Sequence, residues 1–348
     1  MLVVLILAGV LFTLGWVFGV ALKARLIFLA ALWTAMVGAH LALPVGHPFR
    51  QGTGGDVRPW LLLAILALAV WAYRAILQAL RRRARQHEAQ TMPEVKKPLF
   101  SEAELNRYAR HLMLREVGGP GQRKLKEAKV LVIGAGGLGS PLLLYLAAAG
   151  VGTIGVIDDD GVESSNLQRQ IIHNDRTVGM PKVFSAQEQM EALNPFITVK
   201  PYHRRLTEED AATLFPEYDL ILDGTDNFDT RYMANRMAVK AGKPLIAAAI
   251  TQWEGQISLY DPGRGGPCYE CVFPTRPAPG LVPSCAEAGV IAPLPGVMGS
   301  MMAMEAVKLL TGAGEPLRGA MLIYDGLYAE TRRIGLKPRA DCPVCHKA

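Results

Sequence analysis

Long apolar runs dominate the first eighty residues. Residues 2–22 and 26–45 are apolar and are separated only by a short charged step, and a third apolar run covers 59–73. A helix that crosses a membrane needs roughly 20 apolar residues. The first two runs have that length, and the third has it if it continues past an arginine to Leu80. The pattern therefore predicts a transmembrane region over 1–80, with three helices or, alternatively, a two-helix hairpin and an interfacial third helix.

From Lys129 onward, short apolar runs alternate with segments of helical periodicity. Such alternation is typical of a parallel sheet with helices on both faces. We therefore predict an α/β fold over 100–348, with a doubly wound, Rossmann-like and mainly parallel sheet, preceded by the transmembrane helices. The expected strands are 129–133, 153–157, 197–202, 219–223, 245–249, 256–260 and 321–325. The expected helices are 140–149, 182–193, 227–241 and 297–310, one that begins at Thr207, and one that Ser101 and Glu104 open as a capping box.

Charge is distributed unevenly along the chain. Residues 1–100 carry a net charge of +8 and residues 101–348 a net charge of −2. Four arginines lie within 81–85, and the positive-inside bias places the domain after them in the cytoplasm. We expect a multi-pass protein of the cell membrane whose polar linker, 81–99, leads to a cytoplasmic domain. Since the positive charge belongs to the membrane-proximal part, the later part shows no basic footprint for nucleic acid.

A glycine-rich loop follows the first expected strand. The segment GAGGLG fits the G-x-G-x-x-G fingerprint, and Asp158 ends the next strand, nineteen residues after Gly139. Glycines permit close approach of phosphates, and the acidic residue binds a ribose hydroxyl. The fingerprint predicts an adenine nucleotide, without separating ATP from NAD. The loop glycines are Gly134, Gly136, Gly137 and Gly139.

Cations and a further acid follow in the chain. Arg169 lies eleven residues after Asp158, and Lys182 begins a helix. Two cations beyond the ribose acid suit a ligand with more phosphate charge than NAD, although both can also be solvated residues at helix ends. Asp226 and Asn227 follow the fourth strand, where an aspartate can hold Mg²⁺ against phosphates. The alternative for Asp226 is a cap on the helix that follows.

Five cysteines occur, and none lies in the apolar N-terminal region. Four form two Cys-x-x-Cys pairs, which can supply four thiolates to one structural Zn²⁺. A cytoplasmic location makes structural disulfides unfavourable, which supports the metal interpretation. The four residues are Cys268, Cys271, Cys342 and Cys345. Cys285 remains available for chemistry, or for packing as a small apolar side chain.

Residues 100–348 resemble the ThiF/MoeB/HesA family, the ubiquitin-activating-enzyme-like adenylyltransferases of small sulfur-carrier proteins. The resemblance is greatest to the branch that serves molybdopterin synthase. The apolar N-terminal region departs from the family pattern, and no sulfurtransferase domain follows Cys345, so sulfur transfer is expected to use a separate sulfurtransferase or cysteine desulfurase. The matching segments are GAGGLG, NLQRQ, GMPK, DGTDN, PCYEC, CPVC, SCAEAGV around Cys285, and RYAR at 107–110.

The resemblance implies roles for individual residues. Asp158 and Asn166 would hold the ribose and its surroundings, together with the adjoining Ser165, Leu167 and Gln168. Arg169, Lys182 and the partner's Arg110 would offset phosphate charge in a homodimer. Asp226 would organise Mg²⁺ beside Asn227, and Cys285 would accept the activated acyl group.

The resemblance also implies a reaction: MgATP-dependent adenylylation of the C-terminal glycine of a small ubiquitin-like carrier that ends in Gly-Gly. The expected carrier is the small subunit of molybdopterin synthase, in molybdenum cofactor biosynthesis. The carrier of the thiazole (thiamine) pathway is the near alternative. Two other classes stay open, a nicotinamide-dependent oxidoreductase with the same glycine loop and a catalytically dead adaptor. The intact Arg169, Lys182 and Asp226 count against the adaptor.

Overall fold

The computed structural model describes residues 2–91, 99–277 and 288–346, with side chains throughout except at 84–91. Within it the chain forms two compact units, Met1–Lys97 and Pro98–Ala348. Cys285 falls between the described ranges.

The first unit consists of helices. They are α1 (Leu2–Val17), α2 (Leu22–Ala42), the short α3 (Pro48–Gly52) and α4 (Arg58–Thr91). By length and composition, α2 and the Arg58–Arg83 part of α4 can cross a membrane. With 16 residues, α1 is shorter than the roughly 20 that a span needs. The helix α4 runs through the arginine cluster that we expected to open the linker, because arginine, alanine and glutamine all favour helix despite their polarity.

The second unit is built on an eight-stranded sheet of order β3-β2-β1-β4-β5-β6-β7-β8. The strands β1 to β5 pair in parallel. Each of the strands β6 to β8 pairs antiparallel with the strand before it, so the sheet is mixed, with four parallel and three antiparallel pairings. The strands are Lys129–Ile133, Thr153–Asp158, Thr198–His203, Leu220–Asp223, Leu245–Thr251, Glu254–Tyr260, Ala320–Asp325 and Glu330–Gly335. We did not predict β8, whose residues are all exposed and lack an apolar alternation.

Helices flank the sheet, and most begin and end near the predicted residues. Ser101 and Glu104 form the expected capping box, and the helix predicted over 182–193 is confirmed residue by residue. The helices of this unit are α5 (Glu102–Arg107), α6 (Ala109–Leu112), α7 (Gly118–Glu127), α8 (Gly139–Ala149), α9 (Lys182–Leu193), α10 (Glu208–Leu214), α11 (Phe228–Ala241), α12 (Tyr269–Val272) and α13 (Pro293–Thr311).

The central strand β1 has apolar side chains on both faces. Val130 and Val132 belong to a core that includes residues of α8, α9 and α13. Leu131 and Ile133 belong to a second core with residues of α10 and α11. Side chains alternate between the faces of a strand, so a continuous apolar run with helices on both sides is the expected result. This layering confirms the Rossmann-like part of the prediction and places the carboxyl ends of β1, β2 and β4 side by side.

Candidate nucleotide site and cysteine cluster

A cavity of about 940 Å³ opens at the carboxyl ends of the parallel strands. It lies where β1 has β2 on one side and β4 on the other, the switch point at which open α/β sheets bind ligands. The structure brings many of the predicted site residues together there. Those that line the cavity are Gly134, Gly136, Gly137, Asp158, Asn166, Arg169, Lys182, Asp226 and Asn227.

The glycine loop has a steric basis. Gly134 has a φ of 93°, in the region that residues with a Cβ rarely adopt. A Cβ on Gly139 would lie 2.1 Å from the carbonyl oxygen of Gly134. Gly139 does not line the cavity, so its role in the described structure is to let α8 start against the end of β1. The sequence placed Gly139 among the cofactor contacts, whereas the structure gives it a packing role.

Asp158 connects the end of β2 to the glycine loop. One carboxylate oxygen accepts a hydrogen bond from the backbone N–H of Ala135, and the other accepts from that of Asp160, both at 2.8 Å. Burial raises the pKa of Asp158, against the opposing effects of the Ala135 N–H and the charge of Lys182. The carboxylate is therefore oriented before any ligand arrives, and it lies at the cavity wall where the fingerprint predicts a ribose.

Lys182 is a buried cation at the start of α9. Its side chain is 6% exposed, and Nζ lies 2.7 Å from a carboxylate oxygen of Asp160, which is 64% exposed. The backbone N–H of Lys182 also donates to the Asp160 carbonyl. Sequence reasoning missed Asp160, although it stands two residues after the predicted ribose acid. An exposed carboxylate that holds a buried ammonium can be displaced by an incoming phosphate, which is also an anion.

The segment after β2 presents one side to the cavity. Glu163, Asn166 and Arg169 line it, and Arg169 donates to the side-chain oxygen of Asn166 at 3.1 Å. Residues 164–166 form a 3₁₀ turn, in which residues three apart share a side. The predicted contacts Ser165, Leu167 and Gln168 do not line the cavity.

Asp226 lies at the cavity with an exposed side chain. The cap of α11 is Asn227, whose side-chain oxygen accepts from the backbone N–H of Thr230 at 3.2 Å. The alternative that Asp226 caps this helix is therefore wrong. The carboxylate of Asp226 faces a cavity that also holds Arg169 and Lys182.

Sequence reasoning missed a second group of cations. Arg231 is buried in α11, and its Nε lies 3.7 Å from a carboxylate oxygen of the fully buried Asp223. One of its terminal nitrogens donates to the carbonyl of Ala248 at 2.8 Å. Because Asp223 belongs to β4 and Ala248 to β5, this arginine links the two strands beside the cavity. Arg204, Arg205 and Arg276 line the cavity from exposed segments. No motif marks these four arginines, because they come from three separate parts of the chain.

His173 is a buried residue that hydrogen-bonds the backbone of the glycine loop. It is 6% exposed, with Nε2 at 2.9 Å from the carbonyl of Ala135 and Nδ1 at 2.8 Å from the hydroxyl of Ser185. Burial lowers the pKa of His173, and the charge of Lys182 acts in the same direction. A neutral imidazole can donate to the carbonyl and accept from the hydroxyl. These two contacts orient the loop.

The two cysteine pairs meet although 70 residues separate them in the chain. Their sulfurs all lie within 4.8 Å of one another, with distances of 3.8 Å for Cys268–Cys271, 3.6 Å for Cys268–Cys342 and 3.4 Å for Cys271–Cys345. A tetrahedral Zn²⁺ with four sulfurs at 2.3 Å would separate those sulfurs by about 3.8 Å. The donor set and its size therefore fit a closed zinc site.

Two predicted catalytic residues are not among the described residues that line the cavity. Arg110 is exposed on α6 and does not line it, which agrees with a role in another subunit without testing it. Cys285 lies outside the described residues, so its catalytic role stays a prediction.

The fold and the cavity define a nucleotide-binding α/β domain with a four-cysteine cluster. The ThiF family pattern matches residues 108–344, and the chain belongs to the ThiF family. It is 50% identical over 250 residues to a sulfur carrier protein adenylyltransferase of Thermus thermophilus, covering 71% of this chain and 92% of that protein. It is also 50% identical over 247 residues to a probable adenylyltransferase/sulfurtransferase, MoeZ, of Mycobacterium tuberculosis, covering 70% of this chain but only 63% of that protein.

Solved structures share the fold at lower identity. The structure of E. coli MccB with ATP aligns at a TM-score of 0.59 and 26% identity, covering 69% of this chain and 74% of that chain. The complex of MccB with MccA-N7isoASN aligns at 0.62, also with 26% identity, covering the same shares of the two chains.

Proposed function

We propose that this protein adenylylates the C-terminal glycine of a small sulfur-carrier protein with MgATP. The observation that carries the proposal is the cavity at the switch point, in which Asp158 offers an acceptor and Arg169 and Lys182 offer positive charge. The names of the relatives support the same activity. We infer that the carrier is the molybdopterin synthase small subunit, with the thiazole-pathway carrier as the alternative.

The chemistry follows from charge. A C-terminal carboxylate is ionised at neutral pH, so it can attack the α-phosphorus of ATP without a general base. The P–O bond to the leaving pyrophosphate breaks as the acyl–phosphate bond forms, leaving an acyl-adenylate. The cavity must therefore hold two anions together and offset their repulsion. Lys182 suits this task because its ammonium is buried, where a charge interacts more strongly than in water.

Asp226 is the residue that we propose for the magnesium of MgATP. Its carboxylate is exposed at the cavity, and oxygen donors are the ligands that Mg²⁺ prefers. The metal supplies charge neutralisation at the phosphates. We propose Zn²⁺ for the cluster of Cys268, Cys271, Cys342 and Cys345, where it would stabilise the fold.

We further propose attachment to the cell membrane through α2 and α4, with the second unit in the cytoplasm. The length and apolar composition of both helices support this, as does the arginine cluster at 81–85. We also propose a homodimer and a separate sulfurtransferase or cysteine desulfurase as partners. The homodimer rests on the expected contribution of Arg110 to the other subunit.

Pyrophosphate–ATP exchange tests the activity. The detergent-solubilised protein should exchange labelled pyrophosphate into ATP only when a carrier ending in Gly-Gly is present, because the carrier carboxylate is the nucleophile. Removal of the terminal glycine from the carrier should abolish exchange and serves as the control. Comparison of the molybdopterin synthase and thiazole-pathway carriers decides between them. Nicotinamide fluorescence binding without any exchange would contradict the proposal and support an oxidoreductase.

A mixing experiment tests the role of Arg110 across a dimer interface. Arg110→Ala and Asp226→Ala should each be inactive alone. In a mixed dimer the Arg110→Ala chain keeps its own Asp226 and receives an intact arginine from its partner. Subunit exchange should therefore restore about a quarter of the wild-type exchange rate, from one intact site in half of the dimers. If the mixture stays as inactive as the separate variants, Arg110 does not act across subunits.

A further inference from the structure

The side chain of Gln170 lies at the cavity wall, and its amide oxygen is buried without a hydrogen-bond partner. Its residue is 4% exposed, it lines the cavity, and its side-chain oxygen is buried and unpaired. Its backbone is fixed, because its N–H donates to the carbonyl of Asn166 and its carbonyl accepts from the N–H of His173. The side-chain amide therefore lies at the cavity with no hydrogen bond to its oxygen, and its NH₂ group is the one that can serve a ligand which only accepts hydrogen bonds.

The side-chain amide of Gln170 lies beside the glycine loop. A Cβ built on Gly136 would lie 3.8 Å from Nε2 of Gln170, and one built on Gly137 would lie 3.7 Å from the side chain of Arg169. The two consecutive side chains thus stand beside the second and third glycines of the loop. In this fingerprint the second conserved position, here Gly136, permits the close approach of phosphate groups.

We propose that the side-chain amide of Gln170 hydrogen-bonds the phosphate chain of the bound nucleotide. This rests on the proposed function, in which ATP occupies the cavity. Phosphate oxygens only accept hydrogen bonds, and the glutamine NH₂ group offers two donors. Nε2 is the atom of the amide that lies beside Gly136, so the NH₂ group can donate to a phosphate that approaches this glycine. The neutral amide complements the charges of Arg169 and Lys182.

Gln168 provides a matched control. It is the same residue type two positions earlier, it is exposed, and it does not line the cavity. Its neighbours Asn166, Arg169 and Gln170 all line the cavity. The sequence assigned Gln168 to the nucleotide, whereas the structure assigns Gln170.

Equilibrium binding to the full-length protein in detergent tests the proposal, with MgATP and adenosine as the two probes. Gln170→Ala should weaken MgATP binding by about tenfold, the effect of losing one hydrogen bond to a charged group. Adenosine binding should stay within about twofold, because adenosine has no phosphate. Gln168→Ala should leave both affinities unchanged. Gln170→Glu should weaken MgATP binding more than Gln170→Ala, because a carboxylate repels phosphate.

Equal MgATP affinity of Gln170→Ala and Gln168→Ala would overturn the proposal, and so would an equal loss for MgATP and adenosine. Gln170→Met keeps the side-chain length without its hydrogen-bonding groups, and the same losses are expected from it if the alanine variant does not fold. If the wild-type protein binds no ATP, the proposed function fails as well. Wild-type binding that is insensitive to Gln170 leaves the proposed function intact.

Discussion

Asp226→Ala should abolish carrier-dependent pyrophosphate exchange while leaving the protein folded. The exposed carboxylate lies at the cavity, and the adjacent Asn227 makes the helix cap, so its removal costs the fold little. Without this carboxylate the magnesium of MgATP loses its proposed protein ligand. We expect a fall in exchange rate of roughly a thousandfold, as for the loss of one group that stabilises transition-state charge. The measurement is the exchange rate at saturating carrier, with circular dichroism to establish folding.

Asp175→Ala is the matched control for this variant. Asp175 is also an exposed aspartate, but it does not line the cavity. Its exchange rate should equal that of the wild type. A folded Asp226→Ala protein that keeps wild-type exchange would remove Asp226 from the mechanism. Partial recovery of Asp226→Ala by excess Mg²⁺ would support its role at the metal.

Cys342→Ser should release the metal and destabilise the second unit. The cysteine is 2% exposed, and its sulfur lies 3.6 Å from that of Cys268, so the cluster joins the C-terminal segment to α12. Structural zinc contributes on the order of 10 kcal/mol in small zinc domains, a large share of the stability of a typical domain. We expect metal analysis to give about one zinc per wild-type chain and far less in the variant, with a lower melting temperature.

The fifth cysteine supplies the control for the zinc prediction. Cys285→Ser removes the one thiol that belongs to neither Cys-x-x-Cys pair, so zinc content and melting temperature should match the wild type. Carrier thiocarboxylation by the same variant, with the native sulfur donor, tests its catalytic role separately. Wild-type protein with far less than one zinc per chain would contradict the metal assignment.

Much of the fold could be predicted because local patterns determine it. The strand β1 was predicted over 129–133, where a continuous apolar run marks burial on both faces, and the structure agrees. The capping box of Ser101 and Glu104 depends only on neighbours in the chain. The antiparallel edge was not predictable in the same way, since the charged and wholly exposed strand β8 pairs through its backbone.

The residues of the candidate site also fall into two groups, those that local sequence identifies and those that packing brings together. The sequence by itself determined the residues whose role follows from spacing: the glycine loop, Asp158 at a strand end, and two Cys-x-x-Cys pairs. Only the tertiary structure decided that the cysteine pairs meet, that Gln170 rather than Gln168 faces the cavity, and that Asp160 holds Lys182. Arg231 under the strand ends and His173 under the loop belong to the same group. These relations depend on packing between distant segments, which a residue's neighbours in the chain do not specify.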